Sequence, residues 1–467
     1  MSEGAFMELV SRGKKDAYFI QDAEKSFFGT PYQRRYPTSV ETFYQETESP
    51  ALFGQYVDIE IPRYGDILQS AEIRIQLPTW LPSDIAALNG TIRLDEEGNY
   101  TPDIRVGPKR LHYGWTNGIA NFLIVRWVLL NDSIQIQEGY GDYNDWQPLS
   151  DTTHLKAPLL NYATGSHDGS ESNIQRNATP PELTFKVPMV TPLPIAAFRA
   201  QKLTLRVFLN TRELLVESGL DSSGNYEICP APWDSQPIYV NGVLQGETTL
   251  SKYAFGQPHI RGRFELLHLD KDEREKLKTE SHEILFKQQC RQDFTLDDTK
   301  WPAGPGLTTS RNIRIELQGL FQRLFLGLTS YVRVRQNKYR DLSPPIYGPV
   351  LPENLQFLNS MSVSINNQER ISQWDTSTFQ ELTQNLQMHR DITRKLYFII
   401  FGCYLESDEP AGAINLARTQ KAVLSLTLNN ILPDPLLGSK LTLASLMGDA
   451  WNILDIKDGL AKVRYMD

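Results

Sequence analysis

Polar and apolar positions along the chain alternate mostly with a two-residue period, which predicts strands with one face in a core. Val57, Ile59 and Ile61 alternate with Asp58 and Glu60, and Ile73, Ile75 and Leu77 with Arg74 and Gln76. Leu203, Leu205, Val207 and Leu209 alternate with Thr204, Arg206 and Phe208. The C-terminal half repeats the pattern at Ile313, Ile315 and Leu317, at Met361, Val363 and Ile365, and at Leu424, Leu426 and Leu428. Residues 122–130 and 396–405 are apolar on both faces and predict deeper strands. Helical patterning is rare. Residues 3–14 carry Phe6, Leu9 and Val10 on one side. Residues 270–289 predict a helix in which Asp270 caps, Glu273 completes a capping box, and Leu277, Ile284 and Leu285 form the apolar stripe.

Turn residues punctuate the whole length, with 28 Pro and 30 Gly in 467 residues. Short alternating strands with dense turns and few helices place the chain in the β-sandwich class. The length suits two or three domains, and the alternating strands fall before about Asn210 and after about Gly262. Two sandwiches in series are expected: an N-terminal arm at residues 1–36, a first sandwich at 37–215, a linker or crossover at 216–257, and a second sandwich at 258–467. Residues 139–181, rich in Gly, Asp, Asn, Ser and Thr, and residues 302–311 are expected to be surface loops.

Charge narrows the partners. Lys plus Arg number 47 against 56 Asp plus Glu, a net charge of -9. A protein that wraps a phosphate backbone leans basic, so no direct nucleic-acid binding is expected. The three cysteines, Cys229, Cys290 and Cys403, are too far apart for a C-x-x-C motif and fit a reducing compartment. No basic and apolar leader opens the chain, and the longest apolar run, ten residues, is half of what a membrane helix needs. A soluble chain made inside the cell is expected.

Catalytic and metal motifs fail on inspection. His282-Glu283 begins like H-E-x-x-H, but position 286 is Phe. Asp270 and Asp272 begin like a calcium loop, but the sixth position is Glu275 rather than Gly. Gly139-Tyr140-Gly141 lacks the third glycine or Lys-Ser/Thr of a phosphate loop, and reads as a turn after a strand. The seven histidines are scattered, so no triad or cupin metal set can be assigned. No enzyme activity and no cofactor are expected. Four N-x-S/T tripeptides, at Asn89, Asn99, Asn131 and Asn177, are read as chance matches. The densest basic stretches, Arg34-Arg35 and Arg333, Arg335, Lys338 and Arg340, read as a solvated strand edge or inter-subunit ion pairs, with contact to an acidic partner as the sharper alternative.

Several segments, taken in order, resemble the double jelly-roll major capsid proteins of nucleocytoplasmic large DNA viruses, including iridovirus- and chlorovirus-like members. Met7 to Ile20, Phe27-Phe28 and Tyr32-Gln33-Arg34-Arg35-Tyr36 are similar to that family's N-terminal arm. Ile61-Pro62-Arg63-Tyr64-Gly65-Asp66-Ile67-Leu68 resembles its I-x-R-x-G-D-L strand pair, on Arg63, Gly65 and Asp66. Tyr113-Gly114-Trp115 through Trp146, and Pro192 to Leu209, resemble later parts of the first roll. Leu266 to Phe286 resembles the Y-L-D-x-D-E-R…H-E-Y-L segment of the second, and Asn452-Ile453-Leu454 with Asp458-Gly459-Leu460 resembles the closing tail. The chain departs from the family's N-F-S-R-I-D at Asn415-Leu416-Ala417-Arg418-Thr419-Gln420.

This resemblance implies two tandem eight-stranded antiparallel jelly rolls with a few short helices. It implies a structural protein of the virion: a homotrimeric, pseudo-hexagonal capsomer that tiles an icosahedral shell and is made in the host cytoplasm or virus factory. Its implied partners are two further copies, neighbouring capsomers, minor capsid or cement proteins, and an inner viral membrane beneath the shell. A minor capsid or scaffold paralogue of the same fold is the alternative. Tyr32, Arg34, Arg35 and Tyr36 are the candidate interface anchors of the arm, since Tyr and Arg are favoured at binding hot spots. A jelly-roll carbohydrate-binding protein is the reading from another class, with Tyr140, Tyr143 and Trp146 as its aromatic platform.

Overall fold

Alternation becomes strand at most of the predicted tracts, but of Ile313, Ile315 and Leu317 only Ile313 lies in one. The computed structural model describes residues 38–78, 92–94, 100–102, 105–106, 109–110, 113–151, 157–166, 182–198, 202–218, 236–240, 243–248, 256–296, 308–330, 333–334, 337–340, 342, 357–376, 396–402, 412–429 and 442–465. The N-terminal sandwich consists of β1 (Thr38–Glu46), β2 (Tyr56–Glu60), β3 (Ile67–Gln76), β4 (Ile124–Asn131), β5 (Ile134–Tyr140), β6 (Leu183–Lys186), β7 (Leu203–Leu209) and β8 (His259–Leu269). One sheet has the order β1-β8-β3-β6 and the other β5-β4-β7-β2. All neighbours are antiparallel. The first strand lies beside the last in one sheet, and the second beside the seventh in the other. That wiring is a jelly roll.

The C-terminal sandwich repeats it. Its strands are β9 (His282–Leu296), β10 (Thr308–Arg314), β11 (Leu320–Ser330), β12 (Leu358–Ile365), β13 (Gln368–Asp375), β14 (Leu396–Ile400), β15 (Ala422–Asn429), β16 (Thr442–Lys457) and β17 (Leu460–Val463). The orders are β9-β16-β11-β14 and β10-β15-β12-β13. β17 adds to β16, and the two-residue strand Ile414–Asn415 adds to β11. Strand for strand, β9 to β16 take the places of β1 to β8.

The apolar faces that alternation marked fill two cores. Val57, Ile59, Ile73, Ile75, Leu203, Leu205 and Val207 are buried between the first two sheets with Trp115, Trp127 and Phe264. Leu324, Leu326, Met361, Val363, Leu424, Leu426 and Leu428 are buried between the second two. Phe286, Leu454, Ile456, Ala461 and Val463 belong to the C-terminal strands yet continue the first core.

Four expectations are corrected. First, the strand group after residue 262 does not stay together, because β8 pairs along its length with β1 and β3 of the first sandwich. Second, the helix expected over 270–289 ends early. The helix there covers Lys271–Thr279 (α4), and residues 282–296 pair with β16 over fifteen registers. Burial there runs with period two, Phe286 being buried and Leu285 exposed, so sheet pairing overrides local helix propensity. Asp270 stands at the N-cap with extended backbone but makes no side-chain cap bond. Third, Phe122 and Leu123 lie in the short helix α1 (Ile119–Leu123), and the strand starts at Ile124. Fourth, residues 139–181 include α2 (Gly141–Asp151) and α3 (Ala157–Thr164) rather than loop alone.

Candidate functional site: the joint between the sandwiches and the free sheet edges

The charge motifs read from sequence meet in space. The Asp66 carboxylate accepts two bonds from Arg274, Nε to Oδ1 at 2.7 Å and Nη2 to Oδ2 at 2.9 Å, and a third from the Leu269 amide at 2.8 Å. Burial pushes this carboxyl up, but the Arg274 bonds and the Leu269 amide outweigh it and hold the pKa below the usual value. Gly65 leaves room for Leu266, whose Cβ would lie 2.7 Å from a Cβ at position 65. Arg63 donates to the Phe198 carbonyl at 2.6 Å. The R-x-G-D and D-x-D-E-R elements are therefore the two halves of one clamp, which ties α4 to the start of β3.

The joint between the sandwiches starts from the edge strand β5. The Gln137 side-chain amide donates to the Lys287 carbonyl at 3.0 Å, and the Tyr140 amide donates to Gln289 Oε1 at 2.8 Å. Edge β5 of the first sandwich thus abuts edge β9 of the second. Helix α2 then lies on the outer face of the β9-β16-β11-β14 sheet. Tyr143 and Trp146 are 0% and 5% exposed among Phe325, Leu396, Phe398 and Met447. Tyr143 meets Phe325 edge-on at 5.4 Å. Gly327 sits beneath the indole, where a Cβ would come within 2.3 Å of Trp146. Arg291 closes the rim with a 2.6 Å bond to Asp142.

A second plug enters from the β11–β12 connection. Asn337, in left-handed backbone (φ 59°), donates through Nδ2 to the carbonyls of Glu213 at 2.8 Å and Val216 at 2.6 Å. Its own carbonyl accepts from the Thr116 hydroxyl at 2.6 Å. Arg340 pairs with the buried Asp145 of α2 at 3.0 Å, and Tyr339 packs on Phe122. The basic stretch read as a solvated edge is corrected here, since Arg333 is buried and Arg340 is an internal ion-pair partner. Position 335 and the pair Arg34-Arg35 lie outside the described residues.

The arm anchors Tyr32, Arg34, Arg35 and Tyr36, and the helix expected at 3–14, also lie outside the described residues. The carbohydrate platform is corrected: Tyr143 and Trp146 are core residues of the joint, and Tyr140 packs against it. Gly139 and Gly141 serve close packing, one against the Trp127 ring and the other against the carbonyls of Asn121 and Ile124. Asn131 is fully buried in β4, which suits no glycan. His282-Glu283 lies on a strand, and among the described residues no His, Cys, Asp and Glu group gathers as a metal site. No helix among them is long and apolar enough to cross a membrane. Sequence reasoning missed Gln137, Asp145, Gln289 and Asn337; only the i, i+3 spacing of Tyr143 and Trp146 hinted at a helix there.

Beyond β5 and β9, the outermost strands of the four sheets are β1, β2, β6, β10, β13 and β14. β1 is an edge of its sheet and β13 of another, and their exposed residues include Val40, Tyr44 and Trp374.

A repeated jelly roll joined into one unit by a buried aromatic cluster defines a double jelly-roll fold. The proteins to which the chain is similar are capsid proteins. The major capsid protein of Paramecium bursaria Chlorella virus 1 is 21% identical over 503 aligned positions, covering 99% of both chains. The structure of that virus's capsid superimposes with a TM-score of 0.67 at 17% identity, over 95% of this chain and 100% of the other. The Faustovirus major capsid protein gives 0.60 at 9% identity, over 96% and 94%. No family model matches the sequence. These relatives are structural capsid proteins, not enzymes.

Proposed function

We propose that the chain is a structural capsid protein of the virion, acting as a homotrimeric capsomer of pseudo-hexagonal outline that tiles an icosahedral shell. The observation that carries this reading is the duplication: two rolls with one wiring, held by a buried joint, present two similar wall segments per chain, so three chains make six. Closed cyclic symmetry is the ordinary outcome for such an assembly. The full-length similarity to a major capsid protein supports the same role.

Strand pairing supports a domain division of residues 38–269 for the first roll and 282–463 for the second, with α4 between them. The arm at residues 1–36 reaches neighbouring capsomers, minor capsid or cement proteins or the inner membrane, anchored by Tyr32, Arg34, Arg35 and Tyr36. Synthesis takes place in the host cytoplasm or virus factory. Light scattering of the purified chain, with negative-stain imaging, tests the reading. Three chains of 53.3 kDa with a hexagonal outline are expected; a monomer at every concentration refutes it. The departure at Asn415 to Gln420 supports one further comparison. A major component dominates purified particles, a minor one is sparse there, and a scaffold is absent.

A further inference from the structure

Strand β1 is held by a small set of contacts. Among the described residues its sheet partner is β8 alone, in register from Thr38↔Leu269 to Glu46↔Arg261. Every residue of β1 except Phe43 and Gln45 is exposed, and Phe43 packs against the first core. A strand with so little buried side chain opens locally at its ends unless other contacts tie it down.

The ties are two ion pairs, one near each end. β1 contains two carboxylates, Glu41 and Glu46, and β8 contains two imidazoles, His268 and His259. His268 Nε2 lies 2.9 Å from Glu41 Oε2, and His259 Nε2 lies 3.1 Å from Glu46 Oε2. Side chains alternate along a strand, so Glu41 shares the face of Phe43 and Glu46 that of Tyr44. One tie therefore sits on each face of β1. Three of the four side chains are more than half exposed, at 56%, 58% and 63%, so solvent protons reach them. Other charges surround the imidazoles. His268 also faces Asp66, which Arg274 of α4 holds from the other side. His259 stands opposite Gln76 of β3. Its partner Glu46 also faces Arg261, whose guanidinium lies over the Tyr44 ring at 5.0 Å and pairs with Glu182. Imidazole is the side chain that changes charge between about pH 5 and 8, whereas carboxylates and guanidiniums ordinarily keep theirs there. A neutral imidazole can still donate one N–H, but without the charge that strengthens the bond.

We propose that His259 and His268 make β1 a pH-governed strand, fastened at both ends in mild acid and loosened at its ends as the pH rises past neutrality. The strand directly follows residues 1–37, so the device sets how firmly the point where that segment joins the roll is held. It does not depend on the trimer reading. Proton binding favours the fastened state, so protection falls with rising pH, the opposite direction to the Asp66 clamp.

Amide hydrogen exchange read on peptides of the full chain, at about pH 5.5 and about pH 7.5, spans the imidazole range and tests this. Rates are divided by the intrinsic exchange rate at each pH, and β15 is the internal reference. In the wild type, protection of β1 should fall by about two- to tenfold at the higher pH, the range that two exposed ion pairs supply together, while β15 stays constant. His259→Gln with His268→Gln keeps a donor at both positions but no titratable charge, and should give β1 the same protection at both pH values. Glu41→Gln with Glu46→Gln should flatten the profile in the same way. Unchanged β15 protection shows that each variant is folded. Wild-type protection of β1 that is independent of pH overturns the proposal. So does a pH dependence that survives in either double variant, or one in which β15 falls together with β1.

Discussion

Trp146 and Gly327 should be coupled, and the coupling measures how tightly the two rolls are joined. A buried aromatic side chain removes about 150–250 Å² from water; at about 25 cal/mol per Å² that is roughly 4–6 kcal/mol. Truncation in cores costs about 3–5 kcal/mol for Phe or Trp to Ala. Trp146→Ala should therefore lose about that much, since the ring is 5% exposed among Phe325, Phe398 and Met447. Gly327→Ala alone places a methyl within 2.3 Å of the indole, and overpacking of this kind costs about 1–3 kcal/mol. With the indole gone, that methyl enters the vacated space and its cost should vanish. The double variant should thus be more stable than the sum of the singles by about 1–3 kcal/mol. Equilibrium denaturation at one fixed protein concentration reads it, because assembly adds a mass-action contribution. Additivity within about 0.5 kcal/mol would refute the packing argument.

Other consequences follow from the charged groups. Asp66 has a folded pKa below its unfolded value, so its stabilisation is present above the unfolded carboxylate range, near pH 4, and is lost as pH falls through the folded value. The stability gap between wild type and Asp66→Asn should be constant from pH 7 to about pH 5 and shrink below about pH 4; a gap independent of pH down to pH 2 would count against the clamp. Arg340→Ala leaves the Asp145 carboxylate buried without its guanidinium, and breaking such a pair costs about 3–5 kcal/mol. The double change Arg340→Met with Asp145→Ala should cost less than Arg340→Ala alone in the same denaturation assay. Deleting residues 1–36 should abolish shell assembly in an in vitro reconstitution while leaving the spectrum of the folded rolls; unchanged assembly would remove the arm's role.

Strand identity was legible because alternation is local. Ile59, Ile75, Leu205 and Leu426 each advertise a buried face within a few residues. What stayed hidden depends on partners distant in sequence. Residues 282–289 carry helical charge spacing, and only β16, over 150 residues later, makes them a strand. Likewise Tyr143 and Trp146 look like exposed loop aromatics until Phe325, Phe398 and Met447 arrive to cover them. The clamp residues Asp66 and Arg274 were visible as separate motifs, but 208 positions separate them and nothing local said that they touch. Arg340 misled for the same reason: its buried carboxylate belongs to the other roll.

The two rolls share their wiring yet differ in the chemistry of equivalent outer faces, and that difference has a consequence for assembly. On the β9-β16-β11-β14 sheet the outer face carries Phe325, Leu396, Phe398 and Met447, and α2 covers it permanently. The equivalent face of the β1-β8-β3-β6 sheet carries ions instead. Arg263 bridges Glu72 and Glu265 at 2.8 Å each, Arg261 reaches Glu182 at 2.6 Å, and Arg74 joins Glu72 and Thr184. An apolar face of that size could not stay exposed while a chain folds and finds its partners, whereas a face of satisfied ion pairs stays soluble on its own. Surface ion pairs are each worth little and are screened by salt. The joint within a chain is therefore fixed at folding. A contact between chains that includes the ionic face would instead weaken with ionic strength, so if the proposed trimer uses that face, raising salt should lower its mass well before it changes the unfolding midpoint of the separate chain.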